Sequence, residues 1–321
     1  MTDVKLEILS AGPLTTLQDQ GRKGYQHFGV TESGPVDSTA FRIGQYLLEN
    51  NSHGSAIEIG SGGIDIVCLG GSIDFAFTGG DFNLIVNGIK HRGWIVGNLE
   101  AGDRLTVRKF LSGNWSYLAF AGLIETQEWL GSKSVNPAWE QSGRPFTSGD
   151  VLTFKTKKSL WNGITNIPTP QFSRTKQEFN VVLGPQERFF TDQAIDNLLS
   201  QIFLITPQYN RMGVQIEGAE LAIKSDLSMP SEGIARGSIQ VQGSGKAVVL
   251  SSDHQTTGGY PKIATVISTD LDRFLQLTPR SKFIFKRINT EEAFARSTQK
   301  HQAEINYLKH AKREIERLIK K

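Results

Sequence analysis

Ser251 to Ile267 read SSDHQTTGGYPKIATVI. Between apolar runs they gather Asp253, His254, Gln255, Thr256, Thr257, Gly258, Gly259 and Tyr260, a density of hydrogen-bonding groups suited to a small polar ligand. If the preceding strand continues past Leu250, alternation sends Ser251, Asp253 and Gln255 to one face and His254 to the other. Gly258-Gly259 would let a backbone or a ligand come close, and Pro261 would stiffen the exit after Tyr260. The same composition also makes a polar hairpin held by Asx and Ser/Thr turns, so the residues alone leave both readings open. A second cluster, LQDQGRKGYQHFGVTESGPVD, sets Gln18, Asp19, Arg22, Tyr25, Gln26 and Asp37 among glycines before a helix. A helix N-terminus favours an anion there, and Asp37 serves equally as a cap. In a third, QYNRMGVQIEG, Arg211 is the fixed cation. It suits a bidentate grip on a carboxylate or phosphate, or a structural ion pair.

Other chemistries are excluded by spacing. VQGSGKAVV resembles a phosphate loop, but Gln240 stands where the first glycine is needed and Ala247 where Ser or Thr is needed. His27, His53, His91, His254, His301 and His310 show no metal-binding spacing, so no metal site is expected. No G-x-S-x-G elbow is present, and neighbouring strand residues such as Asp253 and His254 would diverge rather than form a dyad.

The elements that must carry these clusters are mainly strands. From Val4 to Phe154, short alternating segments (VKLEILS, AIEIG, IDIVCL, IDFAFTG, FNLIVNG, RLTVRKF, SYLAFAG, VLTFK) are separated by Gly, Asn and Asp turns. SGPVDSTAFRIGQYLLENN interrupts them as a helix capped by Asp37 or Ser38, with Phe41, Gly44, Leu47 and Leu48 on one face and an end at Asn50-Asn51. TKKSLWNGITNIPTPQFSRTKQE reads as a linker. Beyond it FNVVLGPQ, RMGVQIEG, GSIQVQ, KAVVLSS and KFIFKRI read as strands, and TDQAIDNLLSQI and STDLDRFLQL as helices. After Ile288 the apolar steps Ile305, Leu308, Ala311, Ile315 and Leu318 mark an amphipathic helical tail.

These segments define an N-terminal β domain at 1–160, a linker at 161–178, a C-terminal β domain at 179–289 and a tail at 290–321. R-x-G-x-Q-x-x-G occurs at Arg22 and again 189 residues later at Arg211, which suggests two related β domains. The net charge of +3 equals that of the tail alone, with eight Lys/Arg against five Asp/Glu in 290–321. The body therefore has no basic footprint for nucleic acid. No apolar run is long enough for a membrane span, and no signal peptide is expected. The single Cys68, inside an apolar run, points to a reducing compartment and so to the cytoplasm.

TTLQDQGRKGYQHFGVTESGPVD, YLAFAG with LGSKS, SGRPFTSGDVL, VVLGPQERFFT, NRMGVQIEG, SEGIARGSIQVQGSGKAVVLSSDHQTTGGYPKIATVISTDL and LTPRSKFIF follow one another almost to Ile288. Together they resemble the 5-oxoprolinase/urea amidolyase family, in its allophanate-hydrolase-subunit-2-like, biotin-dependent carboxyltransferase branch. The resemblance implies two cyclophilin-like β-barrel domains with short helices, followed here by the charged C-terminal helix. It also implies the C subunit of an ATP-dependent 5-oxoprolinase, which opens the 5-oxo-L-proline lactam to L-glutamate with B and A subunits, of which B is bound directly. ATP with Mg would act at the assembled complex.

The resemblance also admits a carboxyltransferase subunit working with biotin carried on another chain, or a non-catalytic regulator binding a kinase-inhibitor-like partner. On the residues above, it nominates Asp253, Arg211 and Asp37 as catalytic. Gln18, Gln240, Gln255, Thr256, Thr257, Gly258, Gly259 and Tyr260 are its nominees for substrate binding. Gly34-Pro35-Val36-Asp37, Ala138 to Pro145 and Leu130 to Val135 depart from the family pattern, so the N-terminal glycine loops have drifted more than the C-terminal motif.

Overall fold

The computed structural model describes residues 2–50, 54–109, 112–157, 159, 161, 163–224 and 229–319. Asn51, His53 and Phe110, named above within motifs, lie outside the described residues, as do the side chains of Ile315 and Leu318. The chain forms two compact units, one from residues 1–22, 33–174 and 303–321, the other from 23–32 and 175–302.

Strand Thr2–Ala11 shows how the first unit is specified. Val4, Leu6 and Ile8 are fully buried while Asp3 and Lys5 are exposed, the period-two pattern of a one-sided strand. It sits in a seven-stranded antiparallel sheet between Val151–Thr156 and Ile64–Gly70. Leu123–Ile124 continues that sheet beyond the first neighbour, and Arg104–Lys109, Phe82–Val86 and Ile89–Arg92 beyond the second. A six-stranded sheet runs Ile164–Ile167, Trp94–Glu100, Ser72–Gly79, Ser116–Phe120, Ala56–Ile59 and Thr16–Gln18. Leu6, Ile66, Phe82 and Leu105 of the larger sheet share one core with Phe75, Phe77, Ile95 and Leu118 of the smaller. Each such side chain contributes about 1.5–3 kcal/mol by leaving water.

Helix α1 (Ser38–Leu47) starts at Asp37, whose carboxylate accepts from Ala40 N at 2.9 Å. Ile164–Ile167 lies within the segment expected to be a linker, but its backbone pairs antiparallel with Trp94–Gly97 and so completes the smaller sheet.

The second unit closes as a seven-stranded barrel. Its order is Glu178–Leu183, Lys262–Val266, Ser238–Val241, Ala247–Leu250, Gly213–Glu217, Phe203–Tyr209 and Lys282–Arg287, and a parallel pairing of the last with the first closes it. Helices α2 (Asp192–Ser200), capped by Thr191, and α3 (Ser268–Phe274) complete the unit. Phe179, Phe203, Phe274, Phe283 and Phe285 meet edge-on or offset with centroids 5.1–6.1 Å apart.

Helix α4 (Thr290–Ile319) opens with a reciprocal cap: Asn289 Oδ1 accepts from Glu292 N at 2.8 Å, and Glu292 Oε2 from Asn289 N at 3.2 Å. The tail is not a detached element. From residue 303 it belongs to the first unit, where Tyr307 packs edge-on against Trp94 and Phe172 and donates to Pro168 O, and where Glu304 pairs with Arg42.

The echoed octapeptides fold differently. Gly213–Glu217 is a strand, whereas Arg22–Gly29 is turns and a short 3-10 segment at Gln26–Phe28, so the repeat does not mark equivalent structure. No helix among the described residues is long and apolar enough to cross a membrane.

Candidate functional site

Alternation in the barrel strands sorts their side chains. Val214, Ile216, Ile239, Val241, Ala247 and Val249 are buried, which leaves Gln215, Gln240 and Val248 on the opposite, outer face. Register then sets them abreast, because Val248 is opposite Gln215 on one side and Gln240 on the other. Over this row lies a cavity of about 290 Å³.

Gln208, Asn210, Gln215, Gln240, Gln242 and Gln255 line it with carboxamides, Met212, Ile234, Val248 and Leu250 with apolar surface, and His254 and Tyr260 with rings. Among the described residues no Asp, Glu, Lys or Arg lines it. A carboxamide carries both donors and an acceptor, and although Gln240 Nε2 is itself buried, the wall matches a small neutral amide or ureido group.

Of the residues expected at a site, this cavity brings together Gln240, Gln255 and Tyr260. His254, expected on the opposite face, also lines it, because the strand ends at Leu250 and Ser251–Thr256 is a turn in which alternation no longer applies. Gln208, Asn210, Gln215 and Gln242 were not singled out in the sequence. The period-two pattern of GVQIE and IQVQ was the signal that would have grouped three of the cavity's glutamines on one face.

Arg211 and Asp253, expected to contact ligand, are occupied by each other. Arg211 Nε donates to Asp253 Oδ2 at 2.8 Å and Nη2 to Oδ1 at 2.9 Å, with both side chains almost fully buried. The reason is electrostatic: two charges withdrawn from water need one another. Backbone bonds from Ser251 N to Met212 O (3.0 Å) and Asp253 N to Arg211 O (2.7 Å) extend the pairing past the strand ends. The pair thereby fixes Met212 and His254 on the cavity wall.

His254 Nδ1 lies 2.6 Å from Gln255 O. A carbonyl can only accept, so the proton is on Nδ1 and Nε2 remains an acceptor. Burial holds the imidazole's pKa below its ordinary value, reinforced by Arg236 and opposed by the Gln255 bond, Glu32 and Asp253. The neutral ring is thus the native form, and protons bind more readily to the unfolded chain. Stability from this group is complete above about pH 6.5 and is lost as pH falls below it. His91, also held low by burial, acts in the same direction. His254→Asn is expected to flatten the fall in thermal stability between about pH 6.5 and 5, with the His91 part remaining; melting curves across that range check it.

Thr257–Gly258 pairs with Glu232–Gly233 in a short ribbon, and Ile234 N donates to Thr256 O at 3.0 Å. A Cβ on Gly258 would lie 2.6 Å from Ile234 Cδ1 and 2.7 Å from Gln240 Nε2, so the glycine admits its neighbours rather than a ligand. Thr256, Thr257, Gly258 and Gly259 are not among the lining residues; they back the wall. Gly258→Ala is expected to displace the flexible ends of Ile234 and Gln240 and to change stability by no more than about 1 kcal/mol, read from urea unfolding midpoints.

Gln18 and Asp37 belong to the first unit and are bonded there. Gln18 Nε2 donates to Thr16 Oγ1 and Val135 O, and Asp37 caps α1 while its own N–H donates to Tyr117 Oη at 2.6 Å. Both are buried supports of that unit. Nearby in sequence, the Asp19 carboxylate accepts from Gly21 N, Ser132 Oγ, Lys133 N and Ser134 Oγ at 2.6–2.9 Å. Arg22 donates to Ser134 O and lies over the Trp129 ring. LQDQGR and LGSKS therefore meet as one buried structural network.

Residues 28–287 match the family model described as carboxyltransferase domain, subdomain A and B. The chain belongs to this carboxyltransferase family. Within it, the 5-oxoprolinase C subunit of Escherichia coli is 32% identical over 311 residues, 90% of this chain and 93% of that one. Urea amidolyase of Saccharomyces cerevisiae is 29% identical over 312 residues, 90% of this chain but 17% of the amidolyase. The solved structure of Kluyveromyces lactis urea carboxylase superposes with a TM-score of 0.84 at 25% identity, over 94% of this chain and 29% of that one. The carboxyltransferase fold thus fills most of the 5-oxoprolinase relative and a minor part of the longer urea-processing chains.

Proposed function

We propose that this chain is the C subunit of an ATP-dependent 5-oxoprolinase and holds the lactam of 5-oxo-L-proline for opening to L-glutamate. The observation that carries the reading is the uncharged, carboxamide-walled cavity of about 290 Å³, whose chemistry mirrors that of an amide. The near full-length likeness to the 5-oxoprolinase C subunits of Escherichia coli and Haemophilus influenzae supports it.

In this reading Gln215 and Gln240 hold the lactam C=O and N–H, and His254 and Tyr260 border the ligand with their rings. Opening adds water to the lactam carbonyl and breaks its C–N bond, the nitrogen leaving as the amine of glutamate. ATP supplies the driving force at the assembled complex. Among the described residues no cation lines this cavity to hold a triphosphate, and we assign ATP and Mg to the partner subunits, B bound directly and A with it. The lone Cys68, buried and unbridged, fits a reducing cytoplasm. A second reading, carboxyl transfer between biotin on another chain and a urea-like acceptor, is favoured by the urea carboxylase likeness, since a ureido group suits the same wall.

Co-purification from the native source followed by ATPase assay tests these. Hydrolysis stimulated by 5-oxoproline and a bound B subunit are expected. A biotinylated partner with bicarbonate-dependent turnover would replace the first reading by the second.

A further inference from the structure

Of the residues that line the outer-face cavity, Gln208, Asn210, Met212, Gln255 and Tyr260 are exposed and form its rim. Carboxamides in that position are served by water. The thioether of Met212 and the ring of Tyr260 are not, yet these residues stand 46% and 49% exposed. Single apolar side chains scattered over a surface are ordinary, but these two border one cavity. Their backbones hold them there. Met212 N donates to Asn210 Oδ1 at 2.8 Å, and Met212 O accepts from Ser251 N at 3.0 Å. Pro261 restricts Tyr260 before it, Pro261 O accepts from Val241 N at 3.0 Å, and Lys262 N donates to Gln186 Oε1 at 2.8 Å.

The apolar surface continues inward. Val248 and Leu250, two apart on one strand, both line the cavity from its outer face, and Gly213, the neighbour of Met212, stands opposite Leu250 without a side chain to cover it. A track therefore runs from Met212 along Leu250 to Val248, which lies between Gln215 and Gln240. A ligand whose amide meets those glutamines turns its opposite edge toward the rim. An apolar edge there displaces water from both exposed side chains, a gain that grows with the area covered. We propose that Met212 and Tyr260 make this site selective for a cyclic amide. The methylene edge of a lactam or cyclic urea rests against the thioether and the phenol ring while the glutamines hold the amide. The inference rests on the amide-binding reading of the cavity.

Calorimetric titration of the full chain with two matched pairs tests it: 2-pyrrolidinone against acetamide, and 2-imidazolidinone against urea. In each pair the ring adds two methylenes to the same amide or ureido head. The wild type is expected to prefer at least one ring member by about 10-fold, since a fully buried methylene is worth about 4-fold. Met212→Ala combined with Tyr260→Ala should bring that preference close to unity and leave the open-chain members binding as they do to the wild type. Met212→Leu and Tyr260→Phe should keep it, because apolar surface is what counts. Methyl-labelled methionine gives an independent reading, since the chain has three methionines, Met1, Met212 and Met229. The signal lost in Met212→Ala should be the one that moves on saturation with the preferred ring.

Equal affinity within both pairs, a preference that survives the double alanine variant, a parallel loss for ring and open-chain members, a Met212 methyl that stays in place at saturation, or binding of none of the four would overturn the proposal. If the preference appears only for 2-imidazolidinone, Met212 and Tyr260 stand as the determinants and the lactam reading falls. If it appears for 2-pyrrolidinone but the assembled complex shows no lactam-stimulated ATPase, the determinants stand and the hydrolase reading falls.

Discussion

Arg211→Met is expected to lower the free energy of unfolding by about 3–5 kcal/mol, the largest single effect foreseen for this chain. The substitution keeps most of the side-chain volume and removes the charge, leaving Asp253 buried, ionised and without the two bonds at 2.8 and 2.9 Å that now satisfy it. Asp253→Leu should also destabilise, by removing the carboxylate that the buried guanidinium pairs with. The double variant Arg211→Met with Asp253→Leu should recover most of the loss, because removing both charges removes the desolvation each imposes. Urea unfolding of the three variants measures this. A loss under about 1 kcal/mol in Arg211→Met would show that the pair behaves as a solvated surface pair instead.

Position by position, the sequence was legible where one physical rule acted alone. Val4, Leu6 and Ile8 declare their strand by alternation, and Asp37 and Thr191 declare helix starts because their short side chains reach back to Ala40 N and Ala194 N. Glu178–Leu183, Gly213–Glu217 and Lys282–Arg287 were legible for the same reason. Phe203–Tyr209 was not, since Pro207 and a register shift between Ile205 and Tyr209 blur its period. Ile164–Ile167 was hidden by flanking prolines and polar residues, because an edge strand needs backbone pairing more than apolar content.

Residue type pointed to Gln240, Gln255 and Tyr260, which line the outer-face cavity. It could not tell whether Arg211 faces a ligand or Asp253, forty-two residues away in the chain, because that depends on which strands become neighbours. His254 was misplaced for one local reason: alternation was carried past Leu250, where the ladder stops.

Replacing Gln215 and Gln240 together by Leu separates binding from folding. Both stand on the outer face of the barrel, flanking Val248, and Gln240 Nε2 is buried without a hydrogen-bond partner. Leucine at 240 removes that unsatisfied donor, so the unfolding midpoint is expected to stay level or rise slightly. Affinity for a small amide should fall about 30- to 100-fold, because the ligand's C=O and N–H would enter an apolar slot with neither partnered. The size of the fall follows from asymmetry: an unmade bond costs the full desolvation of the group, whereas a made one returns only its net surplus over water. Titration with 5-oxoproline and with 2-pyrrolidinone reads the loss, and both should weaken alike, since the amide is common to them. A double variant that binds as the wild type does would remove this cavity as the amide site. One that unfolds several kcal/mol earlier would show the glutamines to be part of the barrel's support instead.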